Sequence, residues 1–352
     1  MTVKICFLHL GFHKTATTSI QLTCRNNSEL LLKKKIETPR FKNEKNRISG
    51  NHTGQLRNIF DVSNETLYAQ IKREGSKPEQ SNSLEGHIFE FLRLLRSKNN
   101  IFLSGEGIPL FRKESLKRMV IEIEAHGFQI YPFALVRSPY AYLNSALQQT
   151  IKGGRHYPWI GLSEDQLQSL EMIEKSQKLP NTVTSIKRLQ SIFSQSIHFY
   201  PFSRASKDPE GPVAFVLKNI LKQDNLEDFE MTNANQSLSN FATRIQNILN
   251  KDIQHKHISN NDLKKLIHRL NDQAKPEKFL LTSQEFNAIE ACFQEIRASM
   301  DQLLGPGFTE ENIYFSKNKS SQDVNQSLVY LTRSLYKFAA TNSKQKPKRS
   351  KC

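Results

Sequence analysis

Apolar positions recur along this chain in two rhythms, short continuous runs and stripes at helical spacing, and the two alternate through its first two-thirds. The run Val3-Lys4-Ile5-Cys6-Phe7-Leu8-His9-Leu10 predicts a strand that stops at Gly11. A cluster of hydroxyl residues then opens a helix over 15–34, which carries Ile20, Leu30, Leu31 and Leu32. Residues 36–83 are polar, with Gly50, Gly54, Gly75 and Pro78, and predict irregular structure with one or two short helices. Over 84–97 the residues Leu84, Ile88, Phe91, Leu92 and Leu95 share one face, an amphipathic helix that packs on a sheet. A second strand, 101–103, ends at Ser104-Gly105-Glu106-Gly107. Leu116, Met119, Val120 and Ile123 predict a helix over 114–125, with Gly127 as its C-cap. The run 129–136 is the most continuous apolar stretch and predicts a strand inside the sheet. Ser138-Pro139 after it reads as a helix start.

The alternation continues with a loop over 156–162 that holds the single tryptophan, Trp159, for which core packing is the favoured role. It is followed by a helix over 186–193, a strand over 197–202 with Pro201 suited to its end, and a helix carrying Val213, Val216, Leu217, Ile220 and Leu221. Strands alternating with helices predict an α/β fold with a central, mostly parallel sheet over 1–230. Later stripes, at Phe241, Ile245, Ile248 and Leu249, at Leu263, Leu266, Ile267 and Leu270, and from Phe286 to Leu303, predict a helical cap over 231–325 that continues the same domain. Leu328, Leu331, Leu335 and Phe338 form a last amphipathic stripe ahead of a basic tail, 326–352.

Composition narrows the classes. A chain of 352 residues, 37% hydrophobic and 24% charged, reads as a rather polar globular protein. No apolar run approaches the roughly 20 residues of a membrane helix, and no apolar signal segment precedes the first strand, so the expected location is cytoplasmic. The four cysteines, Cys6, Cys24, Cys292 and Cys352, are scattered without a C-x-x-C pair, so no metal is expected. A net charge of +16 raises nucleic acid first, yet the basic residues are spread out, with small clusters at 33–35 and 344–351, and no nucleic-acid module accompanies them. A solvated basic surface that draws in an anionic cofactor is the expectation, with no specific nucleic acid. The basic end is also of the kind that contacts membrane surfaces peripherally.

The chemistry starts in the segment Gly11-Phe12-His13-Lys14-Thr15-Ala16-Thr17-Thr18-Ser19. Strand, loop and helix in that order collect backbone N–H groups, the positive end of a helix dipole, an ammonium and several hydroxyls around one point. The occupant this suits is an oxyanion of phosphate type. Lys14 follows Gly11 by three positions, unlike the nucleotide-triphosphate loop G-x-x-x-x-G-K-[ST], whose lysine lies farther on. Glu106, on a glycine-flanked turn at a strand's carboxyl end, is the candidate general base. Arg137 stands at the end of the next strand and Ser145 almost two turns into the following helix, so the two can converge on one anion.

These residues resemble sulfotransferases. The loop is similar to the 5′-phosphosulfate loop of the bacterial carbohydrate-type members, which carry a His-Lys-Thr-Gly-Thr-Thr-Ser-Ile-Gln run. Arg137-Ser138-Pro139 with Ser145 resembles their 3′-phosphate segment, and Leu147-Gln148-Gln149-Thr150-Ile151-Lys152-Gly153-Gly154 the stretch after it. Ala16 departs from the pattern, standing where the family usually has glycine; if φ there is positive, alanine costs about 1 kcal/mol or more. The likeness covers roughly 3–222 and implies a P-loop-containing three-layer α/β fold with a C-terminal helical extension. It also implies a cofactor, 3′-phosphoadenosine 5′-phosphosulfate (PAPS), that leaves as PAP after its sulfuryl group passes to a hydroxyl or amine of a glycan or lipid-linked sugar. Under it, Lys14 takes the bridging oxygen and 5′-phosphate, and Gly11, His13, Thr15, Ala16, Thr17, Thr18 and Ser19 line the loop. Arg137 and Ser145 hold the 3′-phosphate, and 36–83 is an acceptor-side insertion. His52, in Gly50-Asn51-His52-Thr53, is the second candidate base, although alone it reads as an exposed loop histidine. Two other classes stay open: a P-loop nucleotide kinase-like phosphotransferase, and a catalytically silent nucleotide-binding protein on the same fold.

Overall fold

A computed structural model of the chain describes residues 3–74, 82–161, 179–193, 197–234, 237–253, 265, 267–268, 270–271 and 277–316. Its strands are β1 (Lys4–Leu10), β2 (Ile36–Glu37), β3 (Asn100–Gly105), β4 (Phe128–Val136) and β5 (His198–Pro201). The helices are α1 (Thr17–Asn26), α2 (Ser28–Lys33), α3 (Thr53–Ile59), α4 (Glu65–Glu74), α5 (Leu84–Leu95), α6 (Lys113–Ala125), α7 (Pro139–Lys152), α8 (Val183–Gln190), α9 (Phe202–Ser206), α10 (Gly211–Phe215), α11 (Asn240–Ile253), α12 (Ser283–Asn287) and α13 (Glu290–Leu304). They belong to two compact units. The first comprises Met1–Ser138, Thr182–Asn235 and Ser299–Thr309, the second Pro139–Asn181, Gln236–Ala298 and Glu310–Cys352.

The first unit is a three-layer α/β structure around a parallel sheet of order β2-β3-β1-β4-β5. Register pairs Cys6 with Ile101 of β3 and with Ile130 of β4. Both faces are covered. Cys6, Leu8 and Leu10 pack with Ile88 and Phe91 of α5 and with Leu116 and Met119 of α6. Phe7, Phe102 and Phe133 pack with Ile20 and Cys24 of α1 and with Val213 of α10. Covering on both sides is why β1 and β4 read as continuous apolar runs rather than alternating ones. The chain leaves β1 toward β2 and β3 on one side and later adds β4 and β5 on the other, so strand order reverses at β1. In open parallel sheets such a reversal opens a crevice beyond the strands' carboxyl ends.

Local signals placed most boundaries. Gly127, at φ 79°, follows α6 in the left-handed conformation and gives its N–H to the Glu124 carbonyl at 2.9 Å, closing the helix as a C′ glycine. The helix expected over 15–34 is instead two. Asn27 interrupts it, because its amide donates to the carbonyls of Thr23 (2.8 Å) and Glu230 (3.0 Å) and its Oδ1 accepts from the Glu230 N–H (2.9 Å). Asn27 is the last rung of a ladder. Ser19 accepts from the Ala234 N–H at 3.0 Å and Thr23 from the Thr232 N–H at 3.0 Å, so side chains four residues apart on α1 hold 230–234 alongside it. In the 36–83 region the one or two short helices expected are α3 and α4, joined by a short 3-10 turn at Val62–Asn64; residues 75–81 lie outside the described residues.

In the second unit, Tyr140, Leu143, Leu147 and Ile151 of α7 form a core with Trp159, Phe286 and Phe293. Trp159 is thus a core residue. A buried ion pair, Arg244 to Glu285 at 2.6 Å, is completed by Arg244 hydrogen bonds to the Gly161 and Leu280 carbonyls. Glu285 also closes a capping box with Thr282 at the start of α12. The stripe at Leu328 to Phe338 and the basic tail lie outside the described residues. Among the described residues no helix is long and apolar enough to cross a membrane.

Candidate functional site

The loop after β1 is held by its own hydroxyls. Thr15 and Thr17 are buried, and both donate to the Phe12 carbonyl, at 2.7 and 3.0 Å. These two threonines therefore shape the loop from inside, and Thr18, half-buried, lies in the first turn of α1. Ser19 is likewise taken up by Ala234. Gly11 is where only glycine fits, since a Cβ there would lie 2.5 Å from Thr17 Cγ2 and 3.1 Å from the Glu106 Cα. The turn uses left-handed backbone at Lys14 (φ 67°) and Ala16 (φ 59°). Ala16 thus adopts the conformation that suits glycine, at a cost of about 1 kcal/mol.

The turn after β3 meets this loop. The Gly11 N–H donates to the Gly105 carbonyl at 3.1 Å. His13 Nδ1 lies 2.7 Å from Glu106 Oε1, a pair on the surface with side chains 58% and 33% exposed. Glu106 raises the pKa of His13, chiefly through that hydrogen bond and against partial burial. Glu106 is flanked by glycines because α3 sits on the turn. Thr53 Oγ1 accepts from the Gly107 N–H at 2.9 Å, and a Cβ on Gly105 would come within 2.8 Å of that oxygen.

His52 is not the exposed loop residue that the polar surroundings predicted. It is 3% exposed; its N–H donates to the Ser104 carbonyl at 2.9 Å, and its Nδ1 accepts from the Ser104 N–H at 3.1 Å. Burial lowers its pKa to about 3, so it stays neutral and acts as a clamp between α3 and β3. A second buried histidine, which sequence reasoning missed, lies beneath. His9 Nδ1 contacts Ser104 Oγ at 2.8 Å, Gln21 Nε2 donates to the same oxygen at 3.2 Å, and the His9 ring stacks on Phe133. His9 Nε2 is buried without a partner, and burial holds the ring neutral with a pKa of about 3. The one signal in the sequence was a polar ring in an otherwise apolar strand.

Arg137, at the end of β4, reaches the loop from the opposite side. Its Nε donates to the Lys14 carbonyl, and its guanidinium lies 4.5 Å from the centre of the Phe202 ring. Burial lowers its pKa to about 10, so it remains a cation at neutral pH, in a place where an anion would relieve the cost of desolvation. Residues that end three adjacent strands, β3, β1 and β4, are thus linked: Glu106 through His13, and Arg137 through Lys14. Ser145 belongs to the second unit, half-buried on α7. Among the described residues no group of His, Cys, Asp and Glu is arranged to hold a metal. Comparison with family models, curated proteins and solved structures finds no match to this chain.

Proposed function

We propose that the chain is a sulfotransferase that moves a sulfuryl group from PAPS to a hydroxyl or amine of a glycan or lipid-linked sugar. The observation that carries the reading is the hydrogen-bonded set at the carboxyl ends of β1, β3 and β4. There a loop with left-handed backbone at Lys14 and Ala16 is linked to a carboxylate on a tight turn, through His13, and to a desolvated arginine, through the Lys14 carbonyl, at the strand-order reversal. Sulfuryl transfer, like phosphoryl transfer, is an in-line displacement in which positioning and charge neutralisation do most of the catalysis. The sulfur bond to the bridging oxygen breaks, a bond to the acceptor oxygen or nitrogen forms, and the acceptor proton passes to Glu106. Lys14 and the N–H groups opening α1 take the charge that develops on the departing PAP. Arg137 takes the 3′-phosphate; the assignment of Ser145 to that phosphate rests on the sequence resemblance.

Calorimetry with PAP, ATP and AMP tests the cofactor class. PAP is expected to bind at least about tenfold tighter than ATP, from the charge-assisted bonds an arginine makes to the extra phosphate. Equal affinities would favour a kinase-like reading. Transfer of labelled sulfate from PAPS to a glycan and lipid panel then tests the reaction, and its absence despite PAP binding would leave a silent binder.

A further inference from the structure

Along α1, the start of α2 and the segment 38–52 lies a separate cavity of about 270 Å³. Its floor is apolar, made by the buried ring of Phe102 on β3 and by Cys24. The wall is polar and fixed: Gln21 and His52 are both nine-tenths or more buried, and both are hydrogen-bonded to Ser104. Gly50 lets the wall close on α1, because a Cβ there would come 2.7 Å from the Gln21 carbonyl oxygen. The rim carries Arg25, Arg40 and Glu29, two cations and one anion. Each arginine is set by a neighbour. Arg25 gives Nε and Nη2 to Asn26 Oδ1, at 3.2 and 2.9 Å; the Arg40 backbone N–H is held by the buried Glu90 carboxylate at 2.6 Å.

We infer that this cavity binds a small polyhydroxylated anion of sugar-acid type, one ring bearing a carboxylate. An aromatic floor suits the C–H face of a sugar ring, the buried amide and imidazole suit its hydroxyls, and the excess positive rim suits one carboxylate. The volume lies just below the roughly 300 Å³ at which small-molecule clefts begin, so it takes one ring rather than a chain. Position gives the site its role. Gln21 lies one helical turn beyond Thr17 on α1, about 6 Å along the axis, and His52 is clamped to Ser104, two residues before Glu106. Only the Gln21–His52 end of the cavity lies toward the anion loop and Glu106, the rest of its lining running away from them to Glu29, and that end is where an acceptor ring would sit. That role rests on the sulfotransferase reading, whereas the binding does not.

The test uses the full chain, with D-glucuronate and D-glucose as probes in ligand-observed saturation-transfer NMR and PAP titrated separately by calorimetry. Glucuronate is expected to bind about tenfold tighter than glucose, and Arg25→Ala and Arg40→Ala are each expected to remove that preference, since one charge-assisted bond carries about that factor. PAP affinity should stay within about twofold in both variants, and their unfolding midpoints, read in parallel, report folding. No glucuronate binding, or equal binding of both sugars by parent and variants, overturns the site. If PAP fails to bind while glucuronate binding follows the arginines, the site stands and the sulfotransferase reading falls.

Discussion

His13 and His52 both engage the turn that follows β3, and their surroundings send them in opposite directions. His13 faces solvent and leans on Glu106, whose carboxylate favours the imidazolium. His52 is sealed beneath α3 and gives its lone pair to a backbone N–H, so burial keeps it neutral. One residue type thus serves as a carboxylate's partner at the surface and as a structural acceptor a few residues away. Access to water, rather than proximity to the turn, separates a group that exchanges protons from one that holds an element in place.

Substitution can reverse or sharpen that contrast. Glu106→Gln is expected to lower turnover by about 10²–10⁴-fold, the usual worth of a general base, while leaving PAP affinity intact. A full-strength Glu106→Gln enzyme together with an inactive, well-folded His52→Gln would exchange the two roles. His52→Ala is expected to cost about 2–4 kcal/mol of stability in urea unfolding, from the cavity it leaves and the Ser104 N–H it strands.

Acid distinguishes the two histidines without mutation. His9 and His52 have native pKa values near 3 against an ordinary 6.5, so the unfolded chain takes up protons that the native one refuses. Stability is expected to fall as pH drops through that window, with a shallower slope in His9→Phe. The raised pKa of His13 has the opposite sign: its contribution is complete below 6.5 and fades as pH rises through the native value. His13→Gln should therefore narrow the gap to the parent as the medium turns alkaline. The smallest effect concerns the loop itself. Ala16→Gly relieves left-handed strain and is expected to raise stability by up to about 1 kcal/mol, net of the entropy glycine adds to the unfolded chain.

Much of this arrangement was legible before any coordinates. The β1 run, the Gly11 stop, the Gly127 cap and the stripe of α5 are local patterns, and local patterns survive in a single sequence. The same holds for the positions of Lys14, inside the loop after β1, and of Glu106 and Arg137, just past the ends of β3 and β4. Illegible were contacts whose partners lie far apart. Thr53 on Gly107 and the Asn27 break tied to Glu230, 203 residues away, leave no short-range trace. The burial of His52 was misread for the same reason: its polar neighbours in sequence are not its neighbours in space.

Strand order has a consequence for how the protein is made. β1 is synthesised before both of its sheet partners, yet it occupies the middle of the sheet, with Cys6 opposite Ile101 and Ile130. On the ribosome this strand has nothing to pair with until β3 and β4 emerge, and α1 waits longer still for 230–234. Such long closures slow folding and leave an apolar segment open to capture by chaperones or by other nascent chains. The loop between β1 and α1 carries local bonds of its own, from Thr15 and Thr17 to the Phe12 carbonyl, but its contacts with Gly105, Glu106 and Arg137 wait for β3 and β4.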